Sequence, residues 1–337
     1  MSNSSQSPVD KKLSWKQTLD SSQLPPETVG FVNEFCSSFA GGAEEGMNSL
    51  LSTYIRLVDT ECSNPKQFPC YHQAERAPFD FYQLGIDLVR PIVDWNHSHV
   101  LGLEQLKSID RLTQAGENVI LLANHQCEID PQIISLLIEK TAPKIAENMI
   151  FVAGHRVITD PLCMPLSRGR NLLCIFSKRY IEHSPEVRAE RQQHNSKTIA
   201  ELEALLNKGG ACVFVAPSGG RDRKDAEGAI EIAPFDSSSA ELFMLLAQKA
   251  AKKTHIVPLS LYTYYLLPPP EGIQVALGES RKARFAPAGL YFGDTINPST
   301  LSSNEDRREA RKERTNQIYQ IVVANYKKIV ELCGEPE

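Results

Sequence analysis

The sequence of 337 residues contains no apolar run approaching the roughly 20 residues that a helix needs to span a bilayer. Its first residues, MSNSSQSPVDKK, contain neither the apolar core of a signal peptide nor the arginines of a transit segment. We therefore expect a soluble protein that is not exported and has no transmembrane segment. A start at Met1 without a targeting segment favours a bacterial cytoplasm as the compartment, and a plastid stroma after removal of a transit peptide is the alternative.

An excess of positive charge is also missing, because the formal net charge is −5 at pH 7. A chain of this charge has no general affinity for nucleic acid or for an anionic membrane surface. Any membrane contact is therefore expected to be transient, and any anion site has to be built locally. With 42% hydrophobic and 23% charged residues, the composition is that of an ordinary globular protein. The length of 337 residues is enough for one large domain and a small one.

Paired cysteines are absent as well, since none of the eight cysteines belongs to a Cys-x-x-Cys motif. Cys174 and Cys212 lie in apolar runs, where cysteine behaves as a small hydrophobic residue. This usage fits a reducing compartment and argues against a structural zinc site, so we expect no bound metal.

Apolar residues at intervals of three and four predict two helices near the N-terminus. The first helix has its apolar positions at Val32, Phe35, Cys36 and Phe39, and the second at Met47, Leu50, Leu51, Tyr54, Ile55 and Val58. Each apolar stripe has to be buried against another element, and no strand pattern occurs here. The prediction is a helical bundle domain over residues 1–75 and a second, larger domain over residues 76–337.

From about residue 80 onwards, short apolar runs alternate with segments of helical periodicity. The strand-like runs are Val119–Ala123, Met149–Ala153, Leu172–Phe176, Ala211–Ala216, His255–Leu261 and Ile273–Leu277. The helical segments are Pro131–Lys140, Pro185–Leu206, Ser237–Lys252 and a last one from Asn304 to about Leu332. Strands that alternate with helices require crossover connections. We therefore predict an α/β fold, with a mixed, largely parallel sheet flanked by helices and preceded by the small N-terminal helical bundle.

The segment NHQCEIDP, residues 124–131, follows the first of these strands. Asp130 before Pro131 predicts a helix start, with the aspartate as N-cap and the proline at the first helical position. A loop between strand and helix can bring the His125 imidazole to the Asp130 carboxylate. A histidine held by a carboxylate is the usual arrangement of a general base, because the carboxylate fixes the tautomer and stabilises the imidazolium. The alternative is a loop histidine beside an aspartate that only caps the helix.

Two basic segments at strand ends are candidates for an anion site. In PSGGRDR, the glycines let the backbone approach a ligand, and Arg221 and Arg223 carry planar forks that suit phosphate oxygens. Lys178 and Arg179 end another strand, where ligands bind in open α/β sheets. The alternatives are a tight turn with solvated arginines and a solvated strand end. Ser218 lacks the Gly-x-Ser-x-Gly pattern of a hydrolase nucleophile.

The order of these motifs resembles the soluble, plastid-type glycerol-3-phosphate acyltransferases. The shared features are NHQ-x3-D after a strand, a basic strand end about fifty residues later, and PSGGRDR after another strand. The likeness runs from about residue 77 to about residue 295, and PSGGRDR is its most specific block. The chain departs from the family at the basic strand end, where Lys178-Arg179-Tyr180 replaces Lys-Lys-His. Arg179 can replace a lysine on phosphate, whereas Tyr180 carries no cation.

The resemblance implies transfer of a fatty acyl group from acyl-acyl carrier protein, or acyl-CoA, to the sn-1 hydroxyl of glycerol 3-phosphate. The product would be lysophosphatidate, in the first step of phospholipid synthesis. Acyl carrier protein is then a partner, and no metal and no cofactor beyond the acyl donor is implied. The implied site consists of the catalytic pair His125 and Asp130 and the phosphate-binding residues Lys178, Arg179, Arg221 and Arg223.

Three other functions fit parts of the pattern. One is acylation of another acceptor, such as lysophosphatidate, although the absence of a membrane span favours a water-soluble acceptor. A second is a non-catalytic protein that binds anionic metabolites or carrier protein, in which the His–Asp spacing is incidental. The third is a thioester or phosphoester hydrolase, against which the absent nucleophile motif and the absent metal ligands argue.

Overall fold

The structure is a computed structural model that describes residues 13–39, 45–177, 181, 185–270 and 279–334. The helices are α1 (Trp15–Asp20), α2 (Pro26–Phe39), α3 (Glu45–Ser63), α4 (Phe81–Val89), α5 (Leu103–Gln114), α6 (Asp130–Ile138), α7 (Pro143–Asn148), α8 (Met164–Arg168), α9 (Arg188–Lys208), α10 (Ser237–Lys249) and α11 (Arg307–Cys333). The strands are β1 (Tyr71–His72), β2 (His99–Leu101), β3 (Asn118–Ala123), β4 (Ile150–Gly154), β5 (Asn171–Ile175), β6 (Cys212–Val215), β7 (Arg223–Lys224), β8 (Ile230–Glu231), β9 (Thr254–Tyr262) and β10 (Gly289–Phe292).

Eight of these strands form one sheet in the order β1-β5-β4-β6-β3-β9-β10-β2. The neighbours β1–β5 and β9–β10 are antiparallel, and the other five neighbouring pairs are parallel. The short strands β7 and β8 form a separate antiparallel pair. The predicted α/β class, with a mixed, largely parallel sheet flanked by helices, is therefore confirmed.

Strand β3 lies inside the sheet and separates two apolar cores. All six of its residues are buried. Ile120 and Leu122 belong to the core that includes residues of α9, α10 and α11, whereas Val119 and Leu121 belong to the core that includes residues of α5, α6 and α7. Burial on both faces explains why this strand appears in the sequence as a continuous apolar run instead of an alternating pattern.

The parallel register brings several loops to one edge of the sheet. Leu122 pairs with Val215 of β6 on one side and with Pro258 of β9 on the other. The carboxyl ends of neighbouring parallel strands meet at the same edge, where open α/β sheets bind ligands. The loop that contains His125, the segment that contains Arg221 and the end of β9 therefore converge there.

The predicted strands that fall within the described ranges are confirmed, with ends shifted by at most one residue. Helices α1, α4, α5, α7 and α8 and strands β1, β2, β7, β8 and β10 were not predicted as separate elements. The missed strands contain only two to four residues, and so short a segment carries little periodicity. Helix α9 begins at Arg188 and not at Pro185, since Pro185–Val187 is a 3₁₀ helix. The predicted strand Ile273–Leu277 lies outside the described residues.

Helices α2 and α3 share an apolar core with elements that follow them. Val32 and Tyr54 belong to the same buried cluster as Leu84 of α4 and Ile133 of α6. The hydroxyl of Tyr54 also donates to the carbonyl oxygen of Leu162 at 2.7 Å. The division of the chain at residues 75 and 76 remains a prediction, because shared packing of this kind occurs both within and between domains.

None of the helices in the described ranges has both the length and the apolar character that a bilayer crossing requires.

Gly289→Ala tests the packing of α11 on the sheet. A methyl group at residue 289 would lie 2.1 Å from Cγ2 of Ile329 and 3.2 Å from Sγ of Cys333, both on α11. Because Ile329 is fully buried, we expect the free energy of unfolding to fall by about 1–3 kcal/mol. The control is Gly30→Ala in α2, where nothing lies within 4 Å of the added methyl group. Chemical denaturation measures both variants, and a Gly289→Ala variant as stable as the control would contradict this packing.

Candidate active site

His125 and Asp130 lie at the two ends of the loop that joins β3 to α6. Nδ1 of His125 is 2.8 Å from Oδ2 of Asp130. Helix α6 begins at Asp130 itself, and Ile129 occupies the N-cap position. The prediction that Asp130 caps the helix is therefore wrong. Its carboxylate instead turns back onto the loop, where Oδ2 also accepts the backbone N–H of Gln126 at 2.8 Å.

The Asp130 carboxylate is fully buried, but both of its oxygens have hydrogen-bond donors. Oδ1 accepts from Oγ1 of Thr263 at 2.6 Å and from the thiol of Cys127 at 3.0 Å. Burial raises the pKa of Asp130, but His125, Thr263 and Cys127 together hold that pKa below its usual value. An ionised carboxylate accepts the Nδ1–H of His125, which leaves the lone pair of the ring on Nε2. The His125 side chain is 31% exposed, so a ligand can reach part of the ring.

Asn124 and Gln126, on either side of His125, are buried cross-links that were not predicted. The Asn124 amide pairs with the backbone of β9 and donates to Oδ2 of Asp222 at 2.8 Å. The Gln126 amide accepts the backbone N–H of Thr263 at 2.7 Å and donates to the same oxygen of Asp222 at 3.2 Å. The two amides fix the loop against β9 and against the segment after β6. The sequence offered only one signal, two amide side chains beside a histidine directly after an apolar strand.

Asp222 joins the His125 loop to the arginine segment. Its backbone N–H donates to the carbonyl oxygen of His125 at 2.7 Å. Its buried carboxylate accepts from Asn124, from Gln126 and from the backbone N–H of Ala233. Burial raises the pKa of Asp222 to about 6 in spite of these donors. A carboxyl group with a raised pKa therefore lies directly beside the loop of the candidate base.

Arg221 belongs to a buried cluster of opposite charges. Its Nη1 and Nη2 atoms lie 2.5 and 2.9 Å from the two oxygens of Glu279, and Nη1 is 3.7 Å from Oε1 of Glu128. Arg156 contacts Glu279 at 3.2 Å, and Arg281 contacts Glu128 at 2.6 Å. Burial raises the pKa of Glu128, but Arg281 and Arg221 hold it well below its usual range. Arg221 is thus not the solvated arginine of the alternative interpretation, and carboxylates hold its terminal nitrogens.

Arg223 is half-buried at the start of β7 and has a different environment. Its Nη1 atom donates to the carbonyl oxygens of Arg221 and Asp222 at 3.1 and 3.0 Å. Burial, reinforced by the nearby Arg221, lowers the pKa of Arg223. No carboxylate of the described residues forms an ion pair with it. Its charge is therefore available to an anionic ligand, while Lys178 and Arg179 lie outside the described residues.

A comparison with protein-family models matches residues 98–262 to the family described as Acyltransferase. This range runs from β2 to β9 and includes both the His125 loop and the arginine segment. The match therefore covers the part of the chain in which the candidate site was located.

The chain is also similar to proteins named glycerol-3-phosphate acyltransferase. It is 36% identical to the chloroplastic enzyme ATS12 of Cucurbita moschata, over 92% of the chain and 70% of that protein. It is 38% identical to the chloroplastic enzyme ATS11 of the same plant, over 92% of the chain and 72% of that protein. The chloroplastic enzyme of Arabidopsis thaliana is 36% identical over 88% of the chain and 65% of that protein. On these similarities, this chain belongs to the glycerol-3-phosphate acyltransferase family.

Proposed function

We propose that this chain transfers a fatty acyl group from a thioester donor to the sn-1 hydroxyl of glycerol 3-phosphate, giving lysophosphatidate and the free carrier thiol. The observation that carries this proposal is the 2.8 Å contact between His125 and the buried carboxylate of Asp130, in a member of an acyltransferase family. The names of the relatives support glycerol 3-phosphate as the acceptor, in preference to lysophosphatidate. Acyl-acyl carrier protein and acyl-CoA are the two proposed donors, and acyl carrier protein is the proposed partner.

His125 acts as the general base in this reaction. Because Asp130 accepts the Nδ1–H, Nε2 of His125 takes the proton of the sn-1 hydroxyl while the oxygen attacks the thioester carbonyl. The new C–O bond gives a tetrahedral intermediate, which collapses with cleavage of the C–S bond. The imidazolium then returns its proton to the departing thiolate. The ring is neutral again at the end, so the mechanism uses no covalent enzyme intermediate and no cofactor beyond the donor.

The phosphate of the acceptor holds the reacting hydroxyl in place. An anchored substrate converts an encounter in solution into an attack at fixed geometry, which is a large part of catalysis. Arg223 suits this role, because it has no carboxylate partner among the described residues and its neighbour Asp222 bonds to the His125 loop. Lys178 and Arg179 remain predicted ligands of the same phosphate.

The compartment and the membrane contact are proposals of the same kind. The relatives are named chloroplastic, which favours a plastid stroma over a bacterial cytoplasm for this chain. A transient contact with a membrane fits a product that is amphipathic and leaves for the lipid phase.

The reaction is tested with purified protein, labelled glycerol 3-phosphate and either acyl-acyl carrier protein or acyl-CoA, with the product identified by mass. Lysophosphatidate as the product supports the proposal. Free fatty acid would indicate a hydrolase, acylation of lysophosphatidate alone would indicate a different acceptor, and no turnover would indicate a binding protein.

His125→Ala should lower kcat by roughly 10²- to 10⁴-fold, the usual contribution of a general base, with nearly unchanged affinity for glycerol 3-phosphate.

The matched control for His125→Ala is His97→Ala. Nδ1 of His97 also contacts a carboxylate, Oδ2 of Asp94, at 2.7 Å, but it does so in the turn before the edge strand β2. This variant should retain the kcat of the natural protein. Equal kcat values for the two variants would remove His125 from the chemistry.

Arg223→Ala should raise the KM for glycerol 3-phosphate by about 10- to 100-fold, with a smaller effect on kcat. The reason is the loss of a hydrogen bond between charged groups, which contributes roughly 1.5–3 kcal/mol. Lys224→Ala removes an exposed cation from the next position of β7 and should leave KM unchanged. Steady-state kinetics with varied glycerol 3-phosphate measures both, and an unaltered KM in Arg223→Ala would exclude this residue from the phosphate site.

Asp222 predicts a specific dependence of stability on pH. Because the pKa of Asp222 rises from 3.8 to about 6 on folding, the folded protein binds a proton that the unfolded chain releases. This contribution to stability is fully present below about pH 3.8 and is lost as the pH rises through about 6. Asp222→Asn does not titrate, so the stability of the natural protein relative to this variant should decline between about pH 4 and pH 6. Urea denaturation across that range measures the difference, and a constant difference would contradict the raised pKa.

A further inference from the structure

Glu279 lies where two arginines from neighbouring strands converge. Arg156 follows β4 and Arg221 follows β6, and these two strands are paired in the sheet. The oxygens of Glu279 lie 2.5 and 2.9 Å from the terminal nitrogens of Arg221 and 3.2 Å from Nη2 of Arg156. Only 1% of the Glu279 side chain is exposed. A forked contact of this kind uses guanidinium donors in the geometry that also binds phosphate oxygens.

This carboxylate lies close to the loop of the proposed base. Glu128, three residues after His125, is 3.7 Å from Nη1 of Arg221. The backbone N–H of Asp222, the residue after Arg221, donates to the carbonyl oxygen of His125 at 2.7 Å. An anion that replaces Glu279 on Arg221 would therefore lie beside the His125 loop.

We propose that Arg156 and Arg221 together bind the phosphate of the acceptor, and that Glu279 occupies this anion site until the phosphate displaces it. The ligand class is a phosphomonoester dianion. This inference rests on the proposed function and adds Arg156, which was not predicted from the sequence. The displaced carboxylate moves into solvent, and the two guanidinium groups exchange hydrogen bonds to a carboxylate for hydrogen bonds to a phosphate.

Charge balance favours exchange over simple addition. Among the described residues, the cluster contains three cations, Arg156, Arg221 and Arg281, and three anions, Glu128, Asp160 and Glu279. A dianion added to this balanced set would leave two buried negative charges without partners, which is strongly unfavourable. If the dianion replaces Glu279, one excess negative charge remains, and Arg223 lies next to this segment with a charge that can balance it.

The competing interpretation is that Glu279 is a strut that orients Arg221 towards a phosphate bound elsewhere. The two interpretations predict opposite changes in phosphate affinity when the Glu279 carboxylate is removed. Removal of a competing carboxylate strengthens phosphate binding, whereas removal of an orienting carboxylate weakens it. The affinity of a Glu279 variant for phosphate therefore decides between them.

Isothermal titration calorimetry with glycerol 3-phosphate, and separately with inorganic phosphate, measures this affinity in the absence of an acyl donor. Glu279→Gln should bind both ligands at least 10-fold more tightly than the natural protein, and Arg156→Ala should bind them at least 10-fold more weakly. Asp160→Asn is the matched control, since it removes another buried carboxylate of the cluster, one that contacts Arg281 at 2.8 Å. Its affinity should change less than 3-fold. Weaker or unchanged binding by Glu279→Gln, or equal tightening by Asp160→Asn, would overturn the proposal.

A second measurement, of melting temperatures, tests the proposal even if Glu279→Gln is less stable than the natural protein. Glu279→Gln leaves buried arginine charge uncompensated, so its melting temperature should fall and inorganic phosphate should raise it more than in the natural protein. Glu279→Asp keeps the charge on a side chain one methylene shorter and should show an intermediate gain in phosphate affinity. If neither variant responds to phosphate more strongly than the natural protein, the proposal is wrong. Failure of the natural protein to transfer an acyl group would instead refute the proposed function and leave these binding results standing.

Discussion

The parallel pairing of β3 on both of its sides is the constraint on which the candidate site depends. Strands β6 and β9 flank β3 in register, so all three deliver their following segments to one edge of the sheet. Asn124 and Asp222, 98 residues apart in the chain, are hydrogen-bonded there, although no local preference connects them. Apolar burial on both faces of β3 therefore determines where the polar groups can meet. The sheet is the rigid scaffold, and the loops that follow its strands carry the polar side chains of the candidate site.

The polar groups at this edge can be buried because they form hydrogen bonds with one another and with the backbone. Asn124, Gln126 and Asp222 are fully buried and hydrogen-bond to β9, to each other and to the segment after β6. If one of these three side chains is removed, the other two keep buried polar groups without partners. Each such group lowers the stability of the fold by about 1–3 kcal/mol. The same bonds fix the backbone of His125, and a general base has to be held in position to be effective. Under the proposed function, stability and catalysis therefore depend on the same set of hydrogen bonds.

The sequence predicts the fold class and the contact between His125 and Asp130, because both follow from local spacing. It mispredicts the helix start, since the preference of aspartate for the N-cap yields to a carboxylate that faces the loop and accepts from Thr263, 133 residues away. It misses the edge strands, which are too short to show a period. It also misses the partners of Arg221, because Glu279 follows 58 residues later, and charged side chains are solvated in most proteins.

A paired arginine cluster selects ligands differently from a set of open cations. The net charge of −5 excludes general attraction of anions, so an anion has to gain its affinity from a few buried contacts. Under the proposed exchange, a ligand binds to Arg156 and Arg221 only if it competes with the forked carboxylate of Glu279. A phosphate monoester, with about −1.5 to −2 charges and three acceptor oxygens, meets this requirement. A neutral alcohol such as glycerol does not, so the same cluster that stays balanced without ligand also restricts the acceptor to a phosphorylated one.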